Sequence, residues 1–242
     1  MTSLRACCLA LVAVLGAACG AGQSIAQDAG SGLEPGVETF SAALGAGWSA
    51  DSTSSASTLQ EYMEASDAVV EARLIGVSEG PVLRVDEQPD SPTISFVYVR
   101  FQPVSALAGT VRPDAASEIR IEYPKPPGLT AASLEELIPG EPNAMLFLAD
   151  PRAAIAGFSV PHVYLATGDV GVVVEGDSQS SPLVALANDE AGDAGTAFGY
   201  ATLAELSGAV AVVSEDPSTA PTGSRVPGPP DAGPGDTQQM LE

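Results

Sequence analysis

Nothing after residue 19 can form a disulfide, because the three cysteines, Cys7, Cys8 and Cys19, all fall at the start of the chain. Basic residues are nearly as scarce. Nine Lys and Arg face 31 Asp and Glu, for a formal net charge of −22, and Lys125 is the single lysine. Such a chain has no clustered cations to displace the counterions of nucleic acid, which excludes nucleic acid as a partner. Anionic headgroups repel it as well, so a membrane would have to hold it through lipid. There is one histidine, His162, and one tryptophan, Trp48. A histidine base needs a nucleophile and an orienting partner within hydrogen-bond reach. No G-x-S-x-G, S-x-x-K, H-E-x-x-H or glycine-rich phosphate loop is present, and His162 reads as a strand-end surface residue. A zinc site needs three or four His, Cys or carboxylate ligands. That leaves only all-carboxylate sets, which suit calcium better. No cofactor is expected.

What is present begins with an address. Arg5 precedes the uncharged run "ACCLALVAVLGAA", Ala6 to Ala18. A short positive end, an apolar run and small closing residues make a secretory signal peptide over residues 1–18. The run is shorter than the roughly 20 residues of a spanning helix. The words "LGAAC" resemble the lipobox of bacterial lipoproteins, in which the cysteine is acylated and becomes the new N-terminus. The resemblance implies lipidation at Cys19, with Gly16 standing where the family most often has leucine. The alternative is cleavage after "SIA", Ser24 to Ala26, releasing a soluble chain.

Composition divides the remainder into three. Residues 19–57 are rich in Gly, Ala, Ser and Thr and are expected to form a flexible acidic tether. Leu33, Val37, Phe40, Leu44 and Trp48 have helix-like spacing, against which the glycines at 36, 45 and 47 argue. Residues 214–242, rich in Pro and Gly, are expected to be a disordered tail. Residues 58–213 are expected to form one domain. Thr58 and Glu61 have capping-box spacing before "LQEYMEASD". Strands follow at 68–77, 94–101, 118–123, 144–149, 162–167, 170–176 and 181–188, with Thr167-Gly168-Asp169 as a hairpin turn. In 118–123, Ile119, Ile121 and Tyr123 alternate with Arg120 and Glu122. A second helix is expected over 202–213, with Leu203, Leu206, Val210 and Val213 on one face. The order predicts a mainly β fold: a small antiparallel barrel, or a sandwich, with one helix before and one after the strands.

The succession "SDAVVEARLIGV", "VYVRFQPVSALAG" and "IPGEPNAMLFLA" resembles uncharacterised exported bacterial β-barrel modules, similar in shape to OB-fold domains of the netrin and TIMP type. The resemblance implies an OB-like barrel and no activity, because the core disulfides of the eukaryotic modules are missing.

Two constellations remain. Arg73, Arg100 and Arg120 fall on polar strand faces, beside Glu71 and Glu122. They are expected to form cross-strand ion pairs or an anion-binding patch. In the loop "NDEAGDAG", Asn188, Asp189, Glu190 and Asp193 are a calcium candidate that lacks EF-hand spacing. The functional expectation is a non-catalytic binding or accessory module of the bacterial cell envelope, lipid-anchored or secreted, that touches an unknown envelope protein or ligand. The alternative is an acid-residue-dependent extracytoplasmic hydrolase.

Overall fold

A computed structural model of the chain describes residues 34–46, 58–84, 92–155, 158–177, 182–187 and 198–215. Among these, five helices and seven strands follow one another as α1 (Val37–Gly45), α2 (Leu59–Glu64), β1 (Ala68–Arg84), β2 (Thr93–Gly109), β3 (Ile119–Pro124), α3 (Ala131–Glu135), β4 (Asn143–Ala149), α4 (Pro151–Ala154), β5 (Val163–Ala166), β6 (Val172–Glu175), β7 (Leu183–Ala185) and α5 (Leu203–Glu215). Hydrogen bonding orders them β1-β2-β3-β5-β4-β6-β7, and β1 also pairs with β4. Five strands therefore close into a ring, β1-β2-β3-β5-β4, and β6 and β7 extend the sheet beyond β4. The fold is mainly β, as expected, with a closed five-strand ring consistent with the expected small barrel or sandwich. All pairings are antiparallel except β3 with β5.

Alternation explains the ring. Val97, Val99 and Phe101 of β2 and Ile119 and Ile121 of β3 are at most 1% exposed and fill its interior. β4 has no polar alternate: Ala144, Leu146 and Leu148 point inward, while Met145 and Phe147 belong to a second apolar cluster outside. A strand buried on both faces reads as a continuous apolar run, as "AMLFLA" does. The outer cluster is closed by Leu59 and Tyr62 of α2, by Phe198, and by Leu203, Leu206, Val210 and Val213 of α5. The Tyr62 and Phe147 rings stand edge to face at 5.9 Å, and Tyr62 and Phe198 at 5.3 Å. Thr58 caps α2 with the expected box, its hydroxyl accepting from the Glu61 N–H.

β1 and β2 run together for 17 residues each with four register irregularities, which coil the ribbon enough for β1 to meet β4. Gly109 ends β2 with φ 66°, and a Cβ there would run into the Asp67 carbonyl.

Three expectations are corrected. Residues 37–45, assigned to the tether, form α1, and Val37, Phe40 and Leu44 are fully buried in the barrel core. Gly36 is the N-cap and Gly45 the last helical residue, so neither interrupts the helix interior. Ser41 anchors α1, donating to the Ala185 carbonyl at 2.9 Å and accepting from the Ala187 N–H at 3.2 Å. Thr167-Gly168-Asp169 is not a hairpin. β5 and β6 both run antiparallel to β4. The chain between them loops out of one strand line, with Phe147 bonded to both Thr167 and Gly171. The apolar runs on either side of the turn satisfy the same β4 edge rather than each other. Ser214 and Glu215, assigned to the tail, end α5, and residues 1–33, 47–57 and 216–242, which include Cys19 and the rest of the expected tail, lie outside the described residues.

Candidate functional site

The outer face of β2 and β3 is the part of the ring where strand alternation leaves polar side chains in the open. Register places Phe96 opposite Pro124, Tyr98 opposite Glu122 and Arg100 opposite Arg120. Two guanidinium groups directly across an antiparallel pair repel, and Glu118 relieves this. It shares the face of Arg120 and Glu122, two and four residues before them. Its Oε2 accepts from Arg100 Nη2 at 2.8 Å and its Oε1 from Arg120 Nε at 2.6 Å. The Arg100 hydrogen bond, reinforced by Arg120 and opposed by partial burial, brings the Glu118 carboxyl down to about 2. Both guanidinium groups stay about a third exposed, at 32% and 34%. An arginine offers five N–H donors, and Glu118 engages a minority of them. Arg120 lies 6.0 Å from the centre of the Tyr98 ring. Burial raises the Glu122 carboxyl, against a hydrogen bond from Tyr98. Glu118 and Glu122 equal the two arginines in number, and Glu135 also acts on Arg100, in a chain whose net charge is −22.

Behind the face lies a cation that sequence reasoning missed. Arg112 is 9% exposed and sits over the Tyr164 ring at 4.4 Å. Its Nη1 donates to Asp150 at 3.0 Å and its Nη2 to the Val163 carbonyl at 2.7 Å. Asp114 lies 3.5 Å from Arg112 Nε and 3.0 Å from Arg152, and accepts the His162 backbone N–H at 3.2 Å. The His162 carbonyl in turn accepts from the Arg120 N–H at 2.8 Å. The network ties the β2–β3 connection to the β4–β5 connection and holds the backbone that carries Arg120. "TVRPDAAS" shows only an arginine before a Pro-Asp turn, and nothing in that pattern signals burial. His162 has φ 65°, its backbone N–H and carbonyl both belong to this network, and its side-chain Nδ1 is buried with no hydrogen-bond partner among the described residues.

The other sequence-selected residues are elsewhere. Glu71 accepts from Ser105 and Ser207, both at 2.6 Å. With Asn143 and Glu175 it lines a groove of about 260 Å³ whose walls include Val104, Met145 and Leu203. Asn143 donates to Glu175 at 2.7 Å. Arg73, exposed on β1, makes no ion pair with a described residue. The structure thus brings Arg100, Arg120 and Glu122 together and places Arg73 and Glu71 apart from them. Glu118, read in the sequence only as the first residue of a strand, is the residue that joins the arginines. Its signal is the i, i+2 spacing to Arg120.

Asn188, Asp189, Glu190 and Asp193, the calcium candidate, lie outside the described residues. Among the described residues no group of three or more His, Cys, Asp and Glu side chains is arranged to hold a metal ion, and no helix is long and apolar enough to cross a membrane. No family model matches the chain, and no match was found among curated proteins or solved structures.

Proposed function

We propose that this chain is a non-catalytic binding module of the bacterial cell envelope, lipid-tethered through Cys19, whose open β2–β3 face holds an anionic ligand. The observation that carries the reading is the Arg100–Glu118–Arg120 arrangement. Two arginines stand in register on an uncovered strand face, with donors to spare beyond their one shared carboxylate. In OB-type barrels the face of strands 2 and 3 is the usual ligand platform. Tyr98 adds a flat surface beside the cations. The tether rests on Arg5, the apolar run to Ala18 and the lipobox-like "LGAAC".

An acid-dependent hydrolase has less to rest on. Glu71 and Glu175 share a groove, but serine hydroxyls engage both oxygens of the first and Asn143 donates to the second. None of the groove's lining residues is aromatic.

Glutarate is a suitable probe, monitored through the arginine side-chain N–H signals of nitrogen-labelled protein. The expected result is saturable shifts at Arg100 and Arg120 in the wild type, and no shift at Arg100 in an Arg120→Gln variant that remains folded at the temperature of measurement. Equal shifts in the variant would remove the face from consideration. Intact mass of the mature protein, compared with Cys19→Ala, tests the tether. A free N-terminus at Gln27 would end that part of the reading.

A further inference from the structure

The geometry points to Glu118 as a built-in competitor: its carboxylate occupies the seat of a ligand carboxylate, so the open face is a carboxylate site held in a self-capped state. This rests on the reading of the β2–β3 face as an anion-binding surface and names both its ligand class and its restraint.

Three observations carry it. First, Glu118 divides its two oxygens between two arginines, one through Nη2 and the other through Nε. The seat between the guanidinium groups is thereby filled by a planar pair of oxygens, as a ligand carboxylate would fill it. Second, Glu118 precedes the first residue of β3. It is followed by the ladder bond from Arg120 N–H to the His162 carbonyl, so the arginine is fixed by backbone while the glutamate approaches from the strand end. The side chain can swing away without breaking the sheet. Third, Glu118 and Glu122 stand against Arg100 and Arg120 on the face, and Glu135 also acts on Arg100. An arriving carboxylate therefore gains little long-range attraction until Glu118 leaves, after which both guanidinium groups have lost their nearest negative charge.

Removing the competitor should therefore strengthen binding, whereas a ligand-contacting or purely structural glutamate would weaken it or leave it unchanged. The test measures glutarate and inorganic phosphate dissociation constants for the full chain and for Glu118→Gln, Glu118→Asp and Arg120→Gln. Hydrogen bonds to charged groups are strong enough that freeing both guanidinium groups should tighten glutarate binding about tenfold in Glu118→Gln. Glu118→Asp keeps the charge but is one methylene too short to span both arginines, and should show a smaller gain. This second variant keeps the test decisive if the glutamine variant folds poorly. Arg120→Gln should lose binding.

If the wild-type chain binds glutarate through Arg120 but neither Glu118 variant binds more tightly, the competitor is refuted while the binding face stands. If no protein of the set binds either probe, both readings fall. Phosphate bound more tightly than glutarate by Glu118→Gln would overturn the assignment of ligand class.

Discussion

The ring has two outer faces built from similar strands and put to different uses. On one, the outward residues are Val69, Met145, Phe147 and Val173, and α2 and α5 bury them in a second core. On the other they are Tyr98, Arg100, Arg120 and Glu122, half-buried and polar. Both faces back onto the same interior. The difference lies in the alternate positions: apolar on both sides in β4 and β6, apolar and charged in turn in β2 and β3. A face that helices cover needs only to pack. A face left open, with cations held in register, is where selection for a ligand has room to act.

The largest test of this contrast is truncation on each face. Phe147→Ala removes a fully buried ring in edge contact with Tyr62 and beside Phe198, and should cost about 3–5 kcal/mol in denaturant unfolding. Tyr98→Ala, on the open face, should cost less than about 1 kcal/mol. Comparable losses would mean that the second face is packed as tightly as the first.

Leu44→Ala extends the test to α1. A tether side chain would be neutral on substitution. Leu44 is fully buried in the barrel core, and its truncation should cost about 2–4 kcal/mol. A cost near zero would return residues 37–45 to the linker.

These three substitutions mark where the sequence was readable. The strands of the ring were legible because period-2 alternation with Val, Ile and Phe has few other readings, as in Val97–Phe101 and Ile119–Tyr123. α2 was legible from its capping box. α1 was harder: its apolar spacing was visible, but glycines at its ends look in the sequence like glycines in its interior. The β5–β6 excursion was misread because a turn signature says nothing about which third strand both neighbours pair with. At the site, Arg100 and Arg120 could be placed on one surface from their strands. Glu118 could not be singled out as their partner, because register between strands depends on bulges that the sequence does not mark. Arg112 was invisible for the opposite reason: burial of a charge is decided by partners, Asp150 and the Val163 carbonyl, that lie 38 and 51 residues away.

Acid titration sharpens the comparison from the charged side. Glu118 has its folded value lowered to about 2 from 4.5, so the stability it contributes is present above the unfolded value. It is lost as pH falls through that interval. With both arginines a third exposed, the loss should be about 1–3 kcal/mol. The difference between wild type and Glu118→Gln, followed by urea unfolding from pH 5 to pH 2, isolates it. A constant difference across that range would mean that the Arg100 and Arg120 bonds hold no more strongly in the folded chain than in the unfolded one.

The smallest expected effect discriminates best. Arg73 sits on a neighbouring strand, exposed, with no ion pair to a described residue, and Arg73→Gln should change stability by less than about 0.5 kcal/mol. It removes the same formal charge as Arg120→Gln. If glutarate recognition depends on local geometry, Arg73→Gln leaves the shifts at Arg100 and Arg120 intact while Arg120→Gln erases the shift at Arg100. If both substitutions weaken the response equally, the probe is responding to the overall charge of a strongly acidic chain. The open face would then be only a solvated counterpart of the covered one.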